Sequence, residues 1–134
     1  MSSALLVRPT AQRVLALSLA AAAVTGTASA CTSPGGSNPR AIAQTMLVQR
    51  GWSSDWSCLD ALWMRESGWN VYARNRSSGA YGIPQALPAS KMASAGPDWG
   101  TNARTQITWG LGYIGARYGR PCVAWSHSLA TGWY

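Results

Sequence analysis

Apolar residues recur at three- and four-residue intervals over most of the chain beyond residue 38, and that period predicts helices. In the first such stretch Ile42 and Met46, with Ala43 and Leu47 beside them, form one apolar face. Asn38 and Pro39 suit an N-cap and a first helical position, and Gly51 ends the run. A second helix is predicted from about Asp55 to Glu66, capped by Ser53 or Ser54, with Leu59, Leu62 and Trp63 as its stripe. Residues 67–88 carry many Gly, Ser, Asn and Pro residues and read as loop or a small hairpin. Pro84 to Met92 is expected to hold a short helix interrupted by Pro88. Asn102 to Tyr118 predicts a third clear helix through Ile107, Leu111, Ile114 and Tyr118. Its glycines, Gly110, Gly112 and Gly115, lower helix propensity, so their expected use is close packing. Gly119 stops that helix, Pro121 follows, and Cys122 to Ser128 predicts a last short one. The pattern therefore predicts one small, mostly α domain of the α+β kind, with a short β-hairpin or loop beside its helices.

The first thirty residues have a different character. Arg8 and Arg13 give a basic start, Val14 to Val24 is an apolar run, and Ala28-Ser29-Ala30 offers small residues for cleavage. That order is the one of a secretory signal. The apolar run is about eleven residues, against roughly twenty for a bilayer span, so a permanent anchor is the weaker reading. The expected organisation is a signal peptide at 1–30, a linker at 31–37 and the folded domain at 38–134. Export leads to a secreted or cell-wall location. Thr27 to Cys31 also resembles a lipoprotein cleavage site, with Ala28 where such sites carry Leu. Two readings of Cys31 stay open: a lipidated N-terminus that tethers the protein to a membrane, or ordinary cleavage after Ala30.

Export bears on the other two cysteines as well. A disulfide between Cys58 and Cys122 would close a loop of about 64 residues and contribute about 4 kcal/mol through loop entropy; two buried free thiols are the alternative. Loss of the leader leaves nine basic residues against four acidic ones, a net charge of about +5. A basic protein is drawn to polyanions. The basic residues form pairs such as Arg74/Arg76 and Arg117/Arg120 rather than a dense cluster, so an anionic cell wall, not nucleic acid, is the expected partner. A solvated basic surface would explain the charge equally well. There is no Phe, yet there are eight Trp and five Tyr, all beyond residue 37. Trp and Tyr pair a flat apolar face with a polar handle, which suits sugar rings. Most must still serve the core.

Glu66 is the only Glu in the chain. It follows Leu59, Leu62 and Trp63 by seven, four and three residues, so it shares their face near a helix C-terminus. Desolvation and the negative end of the helix dipole should both raise its pKa. A shielded carboxyl of this kind can protonate a glycosidic oxygen. The plainer alternative is a surface pairing of Glu66 with Arg65 or Arg74.

Three segments change that balance. Glu66-Ser67-Gly68-Trp69-Asn70, then Gly79-Ala80-Tyr81-Gly82-Ile83-Pro84-Gln85, then Leu87-Pro88 resemble the lytic transglycosylases, which have a lysozyme-like fold. That family reads E-S-x-x-N, then G-A-x-G-L-x-Q, then a proline. Thr105-Gln106-Ile107 with Gly110 to Ile114 looks like the family's N-I-x-x-G-x-x-Y-L helix, and the final Pro121 to Tyr134 looks like the end of small secreted members with two cysteines. The resemblance implies cleavage of the N-acetylmuramic acid–N-acetylglucosamine bond in peptidoglycan, leaving a 1,6-anhydro ring. It implies Glu66 as acid and then base, Ser67 as a brace for its loop, and Gln85 facing the groove. It further implies Tyr81 and Gly82 as groove wall, Gly82 because a side chain there would block the sugar, and Tyr113 as an aromatic of the active-site helix. Ala124-Trp125-Ser126-His127 replaces the family's A-Y-N-A-G stretch, so Trp125 and His127 are the groove residues expected there. For His127, a sugar contact and a plainly packed ring both stay open. No set of donors has metal-ligand spacing, so neither metal nor cofactor is expected, and a monomer is. Two rivals share these features: a hydrolytic muramidase, whose second carboxylate would have to be Asp55, Asp60 or Asp98, and a non-catalytic glycan-binding module.

Overall fold

The computed structural model describes residues 38–134; the leader, the linker and Cys31 lie outside the described residues. Four α-helices dominate: α1 (Pro39–Gln49), α2 (Trp56–Ser67), α3 (Ala103–Tyr118) and α4 (Pro121–Thr131). Short 3-10 turns occupy Ser53–Asp55 and Ala89–Ser94. The mostly helical expectation holds. The β element shrinks to two isolated antiparallel bridges, Arg74 with Tyr81 and Tyr81 with Ala86.

Local chemistry explains the helix limits. The Asn38 side chain accepts from the Arg40 amide at 3.0 Å, with Pro39 in the first turn. Asn102 does the same for α3, accepting from Arg104 and Thr105. The start of α2 differs from expectation. Neither Ser53 nor Ser54 caps it; both sit in the preceding 3-10 turn, and the Ser54 hydroxyl bonds Asp55 instead. Asp55 is almost fully buried, bound by the Arg120 guanidinium through Nε at 2.8 Å and through Nη2, and it accepts from the Cys122 amide. These bonds hold its pKa below the ordinary 3.8, the Arg120 hydrogen bond contributing most. One carboxylate thus joins the entry of α2 to that of α4. Cys58 and Cys122 join the same two helices covalently, with Cα atoms 5.0 Å apart.

The predicted helix within Pro84–Met92 is also displaced. Tyr81 and Ala86 exchange backbone hydrogen bonds across a tight turn, which keeps residues 82–85 out of a helix. The residue before a proline is disfavoured in helical conformation, so helical turns begin only after Pro88. The last helix is longer than expected, starting on Pro121 and running to Thr131, where Gly132 in the left-handed region ends it.

α2 packs on α4, α1 on α3, and α3 on α4. Leu47, Leu59, Leu62, Trp63, Ile83, Ile107, Leu111 and Ile114 are completely buried and fill the centre. Gly110 lets α3 approach closely: a Cβ there would stand 2.7 Å from the Trp63 ring and 3.0 Å from Pro84. Gly115 faces Trp52 in a similar way, at 3.1 Å. Gly112 does not share this role, since a Cβ on it would meet open space.

Candidate functional site

Glu66 occupies the last turn of α2, which Gly68 ends at φ 60° while its amide bonds Met64 O at 3.0 Å. The carboxyl is half-buried. Desolvation raises its pKa above the ordinary 4.5, and the charge of Arg65 opposes that rise without reversing it. The surface pairing considered for Glu66 does not occur. The two ion pairs among the described residues are Arg40–Asp60 and Arg120–Asp55, and Arg65 donates to the Ser128 carbonyl at 3.1 Å.

Polar side chains tie the loop after Glu66 to α2 and α3. The Ser67 hydroxyl donates to Ile83 O at 2.8 Å and accepts from the Trp69 amide at 3.2 Å, a brace between the end of α2 and the following loop. Gln106 of α3 is completely buried and ties three backbone segments together. Its Oε1 accepts from the Ile83 amide at 2.9 Å, and its Nε2 donates to Val71 O and Trp99 O. Gly82 has φ +74°, and a Cβ on it would lie 2.5 Å from Gln106 Oε1. The buried Gln106 amide therefore gives the glycine a packing reason of its own, beside the expected one of keeping space for a sugar.

Gln85 is held at φ 50°, a left-handed conformation uncommon for a residue with a side chain. Its Nε2 donates to Gly82 O at 2.9 Å and Ala73 O at 3.3 Å, and its Oε1 has no partner among the described residues. Gln85 and Tyr113 line a common cleft of about 120 Å³ with Pro84, Ala86, Leu87, Lys91, Trp109 and Tyr134. Tyr113 stacks on Trp109, centroids 5.4 Å apart and planes 12° from parallel, and meets Tyr134 edge-on. The same Trp109–Tyr113 pair borders a second hollow of about 480 Å³ that reaches Arg50 and Gly112. The pair thus forms a continuous aromatic wall between two depressions.

Tyr134 connects this cleft to α2, the helix that carries Glu66. Its hydroxyl accepts from Trp63 Nε1 at 2.8 Å and donates to Pro84 O at 2.9 Å. Its pKa is raised well above the ordinary 10.0, first by burial, with the charge of Glu66 adding to the rise. In the sequence Tyr134 is only part of a family-like ending; nothing in its spacing signals its link to Trp63 and Pro84. Gln106 is likewise quoted in a motif without a role, although a Gln one residue before a core Ile hints at burial.

Other expected site residues lie elsewhere. Tyr81 belongs to a separate hollow of about 290 Å³ with Arg74, Gly79, Ala89, Trp99 and Gly100, its hydroxyl donating to Gly100 O at 2.8 Å. Trp125 packs against the core. His127 lies between rings, 5.3 Å from Tyr118 and 4.5 Å from Trp133, with Nε2 buried and without a hydrogen-bond partner. A further hollow of about 620 Å³ adjoins Asp98 and the start of α3 and includes none of the expected groove residues.

All three aspartates have structural partners. Asp60 Oδ1 accepts from Arg40 Nε at 2.7 Å and Trp69 Nε1 at 2.8 Å. Asp98 accepts from Thr105 at 2.7 Å and Asn102 at 2.6 Å, bonds that lower its pKa below 3.8, Thr105 foremost. Among the described residues no three His, Cys, Asp or Glu side chains gather as metal ligands, and no helix is long and apolar enough to cross a membrane. No family model matches this chain, and neither a curated protein nor a solved structure matches it.

Proposed function

We propose that the protein is an exported peptidoglycan lytic transglycosylase of lysozyme-like fold, with Glu66 as its general acid and base. One observation carries the reading: the only Glu of the chain is half-buried, unpaired among the described residues and raised in pKa, and its charge acts on Tyr134, which lines a cleft with Gln85, Trp109 and Tyr113. Such a carboxyl keeps its proton to a higher pH than a free one, which general acid catalysis near neutrality needs.

In the proposed reaction a muramyl–glucosaminyl unit lies along the aromatic wall, C–H faces against Trp109 and Tyr113. Gln85 Oε1 accepts from a sugar hydroxyl or amide. Glu66 gives its proton to the bridging oxygen as the C1–O bond breaks, and the leaving sugar departs as an alcohol. The 6-hydroxyl of the muramyl residue then attacks C1, and the Glu66 carboxylate takes the proton that this oxygen sheds. No water is consumed, and one carboxyl serves both steps. Attack by a group already attached to the reacting sugar is favoured entropically over attack by free water. The engagement of Asp55, Asp60 and Asp98 with structural partners favours this route over a muramidase with a second carboxylate.

The test is Glu66→Gln. It keeps the shape and removes the transferable proton, so release of soluble muropeptides should fall by about 10²–10⁴-fold while sedimentation with purified cell wall persists. Turnover at the wild-type level would remove Glu66 from the chemistry. Equal binding with no turnover in the wild-type protein would favour the glycan-binding module.

A further inference from the structure

We propose that Tyr134 is a positioning residue whose hydroxyl sets the separation between α2, which carries Glu66, and the loop that carries Gln85. The inference rests on the transglycosylase reading for its catalytic consequence, but its geometric content stands on three hydrogen-bonded groups. Trp63 is three residues before Glu66 on α2, and Pro84 immediately precedes Gln85. One oxygen atom bridges them, accepting from Trp63 Nε1 at 2.8 Å and donating to Pro84 O at 2.9 Å. A phenol hydroxyl has a single proton, so both directions are fixed: the indole can only donate and the carbonyl can only accept. Tyr134 itself is held by edge-on contact with Tyr113 at 5.9 Å and tilted contact with Tyr118 at 6.4 Å. The ring packing and the two hydrogen bonds are thus separable, and a phenylalanine would keep only the first.

Loss of the hydroxyl leaves the Trp63 indole and the Pro84 carbonyl without their partner. Both would recruit water, about one helical turn from Glu66 on α2 and within reach of its charge, which already acts on Tyr134. The loop bearing Gln85 would also lose its tie to α2. The surrounding titratable groups are Arg65 next to Glu66 on α2, Lys91 across the cleft, and Tyr113 and Tyr118 packed on Tyr134. None of these is altered by Tyr134→Phe. Water there weakens the desolvation that raises the carboxyl's pKa, so the Glu66 titration should move down, toward 4.5.

Glu66 is the only Glu in the chain, so carboxyl-labelled [13C]glutamate gives one NMR signal that needs no assignment. Tyr134→Phe is compared with the wild type and with Asn102→Ala, which removes the α3 cap, outside the lining of the cleft, and lowers Tm without touching the Tyr134 hydrogen bonds. The expected result is a lower Glu66 midpoint in Tyr134→Phe alone, with kcat reduced roughly ten- to hundred-fold and KM little changed. An unchanged midpoint, or the same midpoint and kcat changes in Asn102→Ala at matched Tm, would overturn the proposal. Exchange of the Trp63 indole N–H in the wild type is the second measurement. It should be slow, and exchange at the rate of a free indole would also overturn it. An inactive wild-type enzyme would sink the glycan-cleaving reading by itself, because the NMR midpoint decides the role of Tyr134 without turnover.

Discussion

At the scale of single residues, the charge on Arg65 opposes the burial that raises Glu66. Removing that charge by Arg65→Gln leaves desolvation less opposed, so the folded pKa rises further and the acid form survives to higher pH. The alkaline limb of the cleavage profile should therefore move up in Arg65→Gln, as read from rates across a pH series; a limb that moves down would contradict the assignment of the limb to Glu66. Gly82→Ala tests a different kind of residue. Its φ of +74° and the 2.5 Å approach to Gln106 Oε1 combine backbone strain with a steric clash. The expected loss is about 2–4 kcal/mol of stability, measured by urea unfolding, and a substitution within 0.5 kcal/mol of wild type would refute the clash. Glu66 is legible in the sequence because a single carboxylate falls on an apolar stripe. Gly82 is legible as a special position but not for its packing reason, since that constraint comes from Gln106, 24 residues later in the chain. Tyr134 is legible only as an aromatic, because no local period links it to residues 71 and 50 positions earlier.

At the scale of elements, the helices were readable because each carries its own apolar period and stop signal. Asn38 and Asn102 cap as their residue type suggests. The entry of α2 was not readable: its determinant is Asp55, whose partners Arg120 and Cys122 are 65 and 67 residues away. Asp55→Asn should cost about 2–3 kcal/mol, the net worth of hydrogen bonds to a charged group. The depressed pKa gives this contribution a pH window. It is complete above the unfolded value near 3.8 and fades as pH falls through the lower folded value. Asp98 adds acid sensitivity of the same sign. The variant should thus lose less stability than the wild type on acidification below about pH 4; parallel losses would argue that Asp55 is not protonated in that range. Gly110→Ala probes the α2–α3 contact. A methyl group 2.7 Å from Trp63 must displace the ring or the helix, and overpacking of this kind costs about 1–3 kcal/mol. Because Trp63 also holds Tyr134, activity should fall with it, as followed in paired unfolding and cleavage assays.

At the scale of the molecule, four helices, one disulfide and the pairing of the buried Asp55 carboxylate with the half-exposed Arg120 guanidinium hold the described residues around a core short of strands. The bridge ties the entry of α2 to the entry of α4, on the same seam as Asp55 and Arg120, so covalent and ionic links reinforce one junction. Replacing both cysteines by serine should cost about 4 kcal/mol through the freed 64-residue separation, which for a domain of this size is a drop in Tm of about 15–30 °C. A Tm unchanged by the replacement would mean that the bridge does not constrain the unfolded chain. The mostly helical architecture was legible from periodicity, and the long loop between α2 and α3 from its Gly, Ser, Asn and Pro content. The cleft itself was not, because it is assembled from that loop, one face of α3 and Tyr134, which meet only in the folded state. The proposal that joins these levels is that a lone carboxyl cleaves glycan strands without a water nucleophile. Mass spectrometry of muropeptides released from purified peptidoglycan tests it most directly. The products should end in 1,6-anhydro-muramic acid, about 18 mass units lighter than hydrolytic ones because attack is intramolecular, and borohydride should leave them unreduced. Muropeptides carrying only reducible ends would contradict the proposal and favour a muramidase.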